Sequence, residues 1–239
     1  MPPTTGYEYE RRGENRLLKA LPADVRKRLL EDLDPVRLGF RELVYDSNQE
    51  LAYVYFPLDG VFSVVTILDQ EGPIAVATVG NEGFLGLPVL LGGDSTPGRA
   101  FCQMPGETLR MRSQRFRDHL SREAPLRDVL LRYTQAYLTL ISQSAACNRV
   151  HAVDERLACW LLTTHDRLGR DEFPLTQEFI GMMLGVSRGS VNTAASALQR
   201  AGLIHCQRGR ITLTDRAGLE SAACMCYAVI RREFDRLLD

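Results

Sequence analysis

The stretch Leu175–Thr214, LTQEFIGMMLGVSRGSVNTAASALQRAGLIHCQRGRITLT, restricts the fold more than any other part of the chain. Apolar Phe179, Ile180 and Met183 recur at helical spacing behind Thr176, an N-cap residue followed by Glu178 in the first turn. Gly185-Val186-Ser187 interrupts that helix. Ser187 then caps a second one, expected to run to about Ala201 and to bury Val191, Ala194, Ala195 and Leu198. Gly202 stops it. Leu203–Cys206 and Ile211–Thr214 alternate on either side of Gln207-Arg208-Gly209-Arg210, the pattern of a β-hairpin wing. Two short helices about a Gly-containing turn, closed by a hairpin, make a winged helix-turn-helix. In that motif the N-terminal residues of the second helix reach base edges in the major groove.

Charge supports the same reading. The chain carries a formal net charge of -1, yet no Asp or Glu occurs from Phe179 to Thr214, where Arg188, Arg200, Arg208, Arg210 and His205 stand. Binding to DNA phosphates needs such a surface, because counterion release dominates it. The residues expected at the interface are Thr176 and Gln177 from the first helix and Ser187, Arg188, Gly189, Ser190, Asn192 and Thr193 from the second. Arg208 and Arg210 join them from the wing. Arg188 is the candidate for bidentate contact with guanine.

The rest of the chain divides by texture into a roll-like segment over 14–120, a long helix over 121–150 and the helix-turn-helix region over 151–239. Glu14–Leu33 has a helical leucine stripe, after a short lead at Met1–Tyr9 that reads as disordered. Short β-type runs follow: Leu51–Phe56, Val61–Leu68, Ile74–Val79, Arg99–Met104 and Thr108–Met111. The turns Pro57-Leu58-Asp59-Gly60 and Asp69-Gln70-Glu71-Gly72 separate the first three. Such spacing predicts a small antiparallel barrel or roll. After Ser121 the apolar residues Leu126, Leu130, Tyr133, Tyr137 and Leu140, continued by Ser144 and Cys147, alternate by four and three. This seam is expected to pair with a second subunit. A second stripe of Val129, Leu138, Ile141 and Ala145 would face the roll. A dimer also serves DNA reading, since one helix-turn-helix covers too few bases to be selective. Asp215 is expected to cap a final helix to about Leu238.

In this order the elements resemble the Crp/Fnr family of bacterial transcription regulators. The likeness is most specific in LTQEFIGMMLGVSRGSVNTAASALQRAGLI and the RGRITLTD wing, and weaker in FPLDGVFSVV and GNEGFLGLPVLLGGDSTPGRA. The resemblance implies an α+β fold: an N-terminal antiparallel β-roll of the cyclic-nucleotide-binding jelly-roll type with flanking helices, a long dimerisation helix and a C-terminal winged helix-turn-helix. It also implies a homodimer on double-stranded DNA in the cytoplasm, with RNA polymerase as a further partner and a small-molecule effector of unknown identity. In the cyclic-nucleotide-binding members a Gly-Glu pair holds the ribose and an Arg-Ser or Arg-Thr pair holds the phosphate. The matching positions here are Gly86-Leu87 and Arg99-Ala100. Leu87 accepts no hydrogen bond and Ala100 donates none, which argues against cyclic AMP. In the recognition helix, Gly189 and Thr193 stand where acidic and basic readers are common in the family.

Other chemistries find little support. The chain has no P-loop, no nucleophile-and-base arrangement in a recognisable setting and no ligand set with metal-binding spacing, so neither catalysis nor a cofactor is expected. No apolar run approaches the ~18 residues of a membrane span. Six scattered cysteines (102, 147, 159, 206, 224 and 226) read as reduced thiols. None precedes Cys102, which argues against an Fnr-type iron–sulfur cluster, and no His precedes it to ligate haem, leaving Pro2 as the remaining axial candidate. Cys224-Met225-Cys226 on one helix would point its thiols about 200° apart, a poor chelate. Cys206 lies beside Arg208 and Arg210, which would lower its pKa. The alternative function is a small-molecule or redox sensor whose winged helix contacts protein.

Overall fold

Pro22 decides how the fold begins. A proline lacks the backbone donor and disfavours the α region for the residue before it. The computed structural model, which describes residues 13–68 and 72–238, accordingly splits the leucine stripe into α1 (Arg16–Lys19) and α2 (Ala23–Glu31). Leu17, Leu18, Leu21, Val25 and Leu29 are buried. Asn15, itself fully buried, caps α1 by accepting from the Leu17 and Leu18 amides at 3.1 and 3.3 Å. Its Nδ2 donates to the carbonyls of Pro57 and Gly83 at 3.0 and 2.8 Å, so one side chain ties α1 to two distant segments of the roll. The Met1–Tyr9 lead, Pro2 and the Asp69-Gln70-Glu71 part of the second turn lie outside the described residues.

Among the described residues the roll contains β1 (Asp34–Leu38), β2 (Leu43–Tyr45), β3 (Tyr53–Pro57), β4 (Val61–Leu68), β5 (Gly72–Val79), β6 (Arg99–Met104) and β7 (Gly106–Arg112). They form two sheets, ordered β1-β7-β3 and β2-β6-β4-β5. β1, which sequence reasoning missed, is an edge strand, and an edge tolerates Pro35 and its missing donor. Three short helical pieces complete this part: α3 (Leu87–Leu90), α4 (Ser113–Arg122) and the first half of α5 (Ala124–Val150). Phe84 stands at the centre of an aromatic cluster, its ring centroid 5.7 Å from Phe56, 5.8 Å from Phe116 and 5.4 Å from Tyr133.

That cluster reassigns the seam of the long helix. Leu126, Leu130, Tyr133, Tyr137 and Leu140 are buried within the single chain, Tyr133 to 1% exposure, and Ser144 is half-buried. The Tyr133 ring also meets Tyr137 at 5.8 Å and Phe234 at 6.2 Å. The expected inter-subunit seam is therefore part of the protomer's own core. The stripe expected to face the roll divides instead: Val129 is buried, but Leu138 is 53% exposed, and Leu131 on the same side is 50% exposed. Heptad spacing marks an apolar face without specifying whether its partner belongs to the same chain.

The chain divides into two compact units. One comprises the residues up to Val65, Thr78–Leu138 and the segment from Phe234; the other comprises Thr66–Ala77 and Thr139–Glu233. The boundary runs through α5. The second unit contains α6 (Val153–Leu168), β8 (Glu172–Pro174), α7 (Gln177–Leu184), α8 (Arg188–Arg200), β9 (Ile204–Gln207), β10 (Arg210–Leu213), α9 (Arg216–Ala222) and most of α10 (Cys226–Leu238). The single helix expected after Asp215 is two helices, broken at Ala223–Met225. β8 pairs antiparallel with β10 and makes the wing three-stranded, ordered β8-β10-β9, with Phe173 buried beneath it.

Candidate nucleic-acid interface

Two hydroxyls start the helices of this site. Thr176 Oγ1 accepts from the Phe179 amide at 3.2 Å and Ser187 Oγ from the Ser190 amide at 3.2 Å, each satisfying a donor that the helix start would leave unpaired. Gly185, at φ +63, ends α7 in the left-handed conformation. A Cβ on Gly181 would stand 2.8 Å from the Val186 carbonyl oxygen, so the turn can close on α7 only where no side chain intervenes. Arg156 of α6 is buried and donates to the Leu184 carbonyl at the end of α7. No local pattern announces that contact. Val191, Ala194, Ala195 and Leu198 are buried on the inner face of α8, as expected.

The outer face carries the candidate readers. Ser187, Arg188, Gly189, Asn192 and Thr193 are exposed and Ser190 is half-buried. Gln177 Nε2 donates to Asn192 Oδ1 at 3.0 Å, linking the two helices at this surface. Thr193 Oγ1 is turned back on its own helix, donating to the Gly189 carbonyl at 3.1 Å. A Cβ on Gly189 would meet nothing nearer than Ser187 Oγ at 3.7 Å. The wing turns through Arg208 and Gly209, both with positive φ (47° and 76°), the two-residue loop that matches strand twist. Arg210 pairs with Glu172 on the neighbouring strand. A groove runs between the helix starts and the wing, lined by Thr176, Gln177, Arg188, Arg208 and Arg210, with Glu178 also in its wall. Among the described residues Arg188 and Arg208 have no protein partner, which leaves both guanidinium groups free for an anionic ligand.

Residues 155–222 match the Crp-like helix-turn-helix domain family. The chain carries a Crp-like helix-turn-helix domain. The likeness in fold extends beyond it. A protein described as a Crp/Fnr-family transcriptional regulator from Eubacterium rectale superposes with a TM-score of 0.66 at 18% identity, over 87% of this chain and 99% of that one. FixK2 from Bradyrhizobium japonicum gives 0.66 at 19% identity, over 80% and 98%. The c-di-GMP-responsive global regulator CLP of Xanthomonas campestris gives 0.64 at 17%, over 80% and 99%. No curated protein matches the sequence of this chain. The chain thus resembles the Crp/Fnr regulators in both its DNA-binding domain and its fold, with antiparallel sheets, a long helix and a C-terminal helix-turn-helix in that order. Among the described residues, no helix is long and apolar enough to cross a membrane.

In the roll, Gly86 sits at φ +126 with its hydrogen facing Val54; a Cβ there would lie 2.5 Å from Val54 Cγ1. Leu87 begins α3, half-buried. Arg99 Nε donates to Asp46 Oδ1 at 2.7 Å, and the guanidinium holds the Asp46 carboxyl below its usual range. Ala100 is fully buried. Arg99 is therefore matched by a carboxylate of its own chain. In the wing, burial raises the Cys206 thiol above its ordinary value, so the arginines beside it in sequence do not activate it.

The largest departure from the sequence reading concerns the other cysteines. Cys224 and Cys226 do not share a helix: Cys224 lies in the break between α9 and α10, and Cys226 is the first residue of α10. The thiols are therefore not held about 200° apart by a shared helix. Cys147 and His151, from the last turn of α5 and the corner after it, meet them, and the four ligand atoms all lie within 4.8 Å of one another. Cys147 Sγ is 3.5 Å from Cys224 Sγ, and His151 Nδ1 is 3.4 Å from Cys226 Sγ. Gln143 Nε2 donates to Cys226 Sγ at 3.2 Å, and Cys159 packs against the group. Hydrogen bonding from the Cys159 thiol, followed by that from Cys147, holds the Cys224 thiol below its ordinary value, whereas burial pushes Cys147 up.

Proposed function

We propose that the protein is a sequence-specific, DNA-binding transcription regulator of the Crp/Fnr family that acts as a cytoplasmic homodimer. The observation that carries this reading is the groove between α8 and the wing, where Arg188 and Arg208 are exposed without a protein partner beside the capped start of the recognition helix. Ser187 and Arg188 enter the major groove first, and Arg188 reaches guanine O6 and N7 with its planar fork. Arg208, at the tip of a rigid two-residue turn, contacts backbone phosphate, and Arg210 does so when it leaves Glu172. Asn192 and Gln177 present one amide surface, since each already orients the other. Gly189 and Thr193 contribute shape rather than charge.

Two copies associate through the exposed side of α5, where Leu131 and Leu138 are half-exposed leucines one heptad apart. The roll serves as an effector domain for a ligand other than cyclic AMP, because Leu87 and Ala100 lack the hydroxyl-binding chemistry and Arg99 is already paired with Asp46. RNA polymerase is the expected protein partner on the promoter.

Selection of bound sequences from random DNA, followed by affinity measurement across salt concentrations, tests the reading. A recovered motif with two-fold symmetry and a log-log salt slope of several units is expected. Arg188→Ala should relax preference at a guanine, while Arg208→Ala should weaken all sequences alike. A winged helix that contacts protein would enrich no motif, and that outcome would overturn the proposal.

A further inference from the structure

The group formed by Cys147, His151, Cys224 and Cys226 has the donors and the dimensions of a metal site. Three thiols and one imidazole converge from the last turn of α5, the corner after it, the break between α9 and α10 and the first residue of α10. With metal–sulfur bonds of about 2.3 Å and a metal–nitrogen bond of about 2.0–2.1 Å, the ligand atoms of a tetrahedral zinc site lie about 3.5–3.8 Å apart. The 3.5 Å Cys147–Cys224 and 3.4 Å His151–Cys226 separations match those edges, and the 4.8 Å upper limit needs only rotamer-scale contraction. An iron–sulfur cluster with several irons divides its protein ligands among different metal atoms, so the four would not all lie within 4.8 Å of one another.

We propose that Cys147, His151, Cys224 and Cys226 bind one zinc ion in a closed tetrahedral Cys3His site that pins the corner between α5 and α6 to the Cys224–Cys226 turn. Soft thiolate donors select zinc over the hard divalent cations, and four protein ligands leave no open position for a substrate water. The role is structural. Each thiol that binds the metal gives its proton to solvent, and His151 binds as the neutral ring through Nδ1. The amide of Gln143 donates to Cys226 Sγ and supports charge on that sulfur, as an outer partner of a metal ligand does. Cys159, packed against the group, is outside the donor set. All these residues lie in the second compact unit, so the clip joins elements of one body.

Cobalt substitution tests the site on the full-length chain. The protein is reduced, stripped with chelator under anaerobic conditions and titrated with cobalt(II). The expected result is an intense visible spectrum of tetrahedral coordination with sulfur-to-cobalt charge transfer, saturating at one cobalt per chain and bleached by one equivalent of zinc. Cys147→Ser, Cys226→Ser and His151→Gln should each weaken zinc binding by more than the ~10–100-fold that loss of an outer partner costs, and Gln143→Ala should fall within that range. Cys102→Ser and Cys206→Ser should bind as the parent chain does. Because a ligand variant can fail to fold, the spectrum and stoichiometry of the unaltered chain decide first: a weak octahedral spectrum overturns the proposal. Retention of the full spectrum in His151→Gln together with its loss in Cys159→Ser overturns the donor set. A chain purified without reductant that lacks metal and weighs two hydrogens less, with the Cys147–Cys224 link found by peptide mapping, overturns the site in favour of a disulfide.

Discussion

The Arg210 guanidinium is held by the Glu172 carboxylate across the β8–β10 pair, at the edge of the groove between the recognition helix and the wing. Both side chains are more than half exposed, so the pair is weak and can exchange for a phosphate. Glu172→Gln should release Arg210 and remove a negative charge from the surface. DNA affinity should rise, and the log-log salt slope should steepen by up to about one unit, the signature of one added phosphate contact. An unchanged slope would mean that Arg210 never reaches the backbone.

The two glycines of the helix-turn-helix should respond to alanine in opposite directions. Gly189→Ala meets only Ser187 Oγ at 3.7 Å, so the helix should gain up to about 1 kcal/mol from the lost flexibility of glycine. Gly181→Ala drives a methyl to within 2.8 Å of a backbone oxygen and should destabilise the same region. Hydrogen exchange of the α7 and α8 amides reads both effects locally, which matters in a chain of two units.

If two copies associate as proposed, Leu138→Asp should separate them and leave the protomer folded, because that side chain is 53% exposed. Tyr137→Asp, one residue away and 8% exposed, should instead disrupt the core of the roll. Sedimentation combined with near-ultraviolet dichroism separates the cases. Dimers persisting in Leu138→Asp would exclude this face of α5.

The bidentate pair between Arg28 and Glu123, at 2.7 and 3.0 Å, joins α2 to the residue between α4 and α5. The Arg28 guanidinium holds the Glu123 carboxyl below its usual range. A depressed folded value means that the pair contributes stability above the unfolded glutamate value of about 4.3, and that this contribution is lost as pH falls through the lower folded value. The melting-temperature difference between the parent chain and Glu123→Gln should therefore be positive at neutral pH and vanish in strong acid. A difference independent of pH would assign the effect to packing.

What the sequence determined by itself is local. The helix-turn-helix was legible to within a residue because its determinants lie inside it: Thr176 and Ser187 cap, Gly185 and Gly202 stop, and apolar residues repeat at three and four. The strands of the roll that alternate between glycine-rich turns were legible for the same reason, and β1, β2 and β8, each short and the first and last containing a proline, were not.

The tertiary structure decided which chemistry distant residues share. Heptad spacing revealed that α5 has an apolar face, but only the aromatic cluster around Phe84 assigns that face to the protomer's own core. Arg156 capping α7, and Asn15 joining α1 to the end of β3 and to Gly83, are likewise contacts between residues distant in sequence. The thiol group is the clearest case. Cys147 and Cys224 are 77 residues apart, and no spacing rule connects them. A metal site requires several donors within bonding distance of one point in space. Sequence constrains that distance only over a few residues of one element, and here a break before α10 and the end of a long helix bring the donors together.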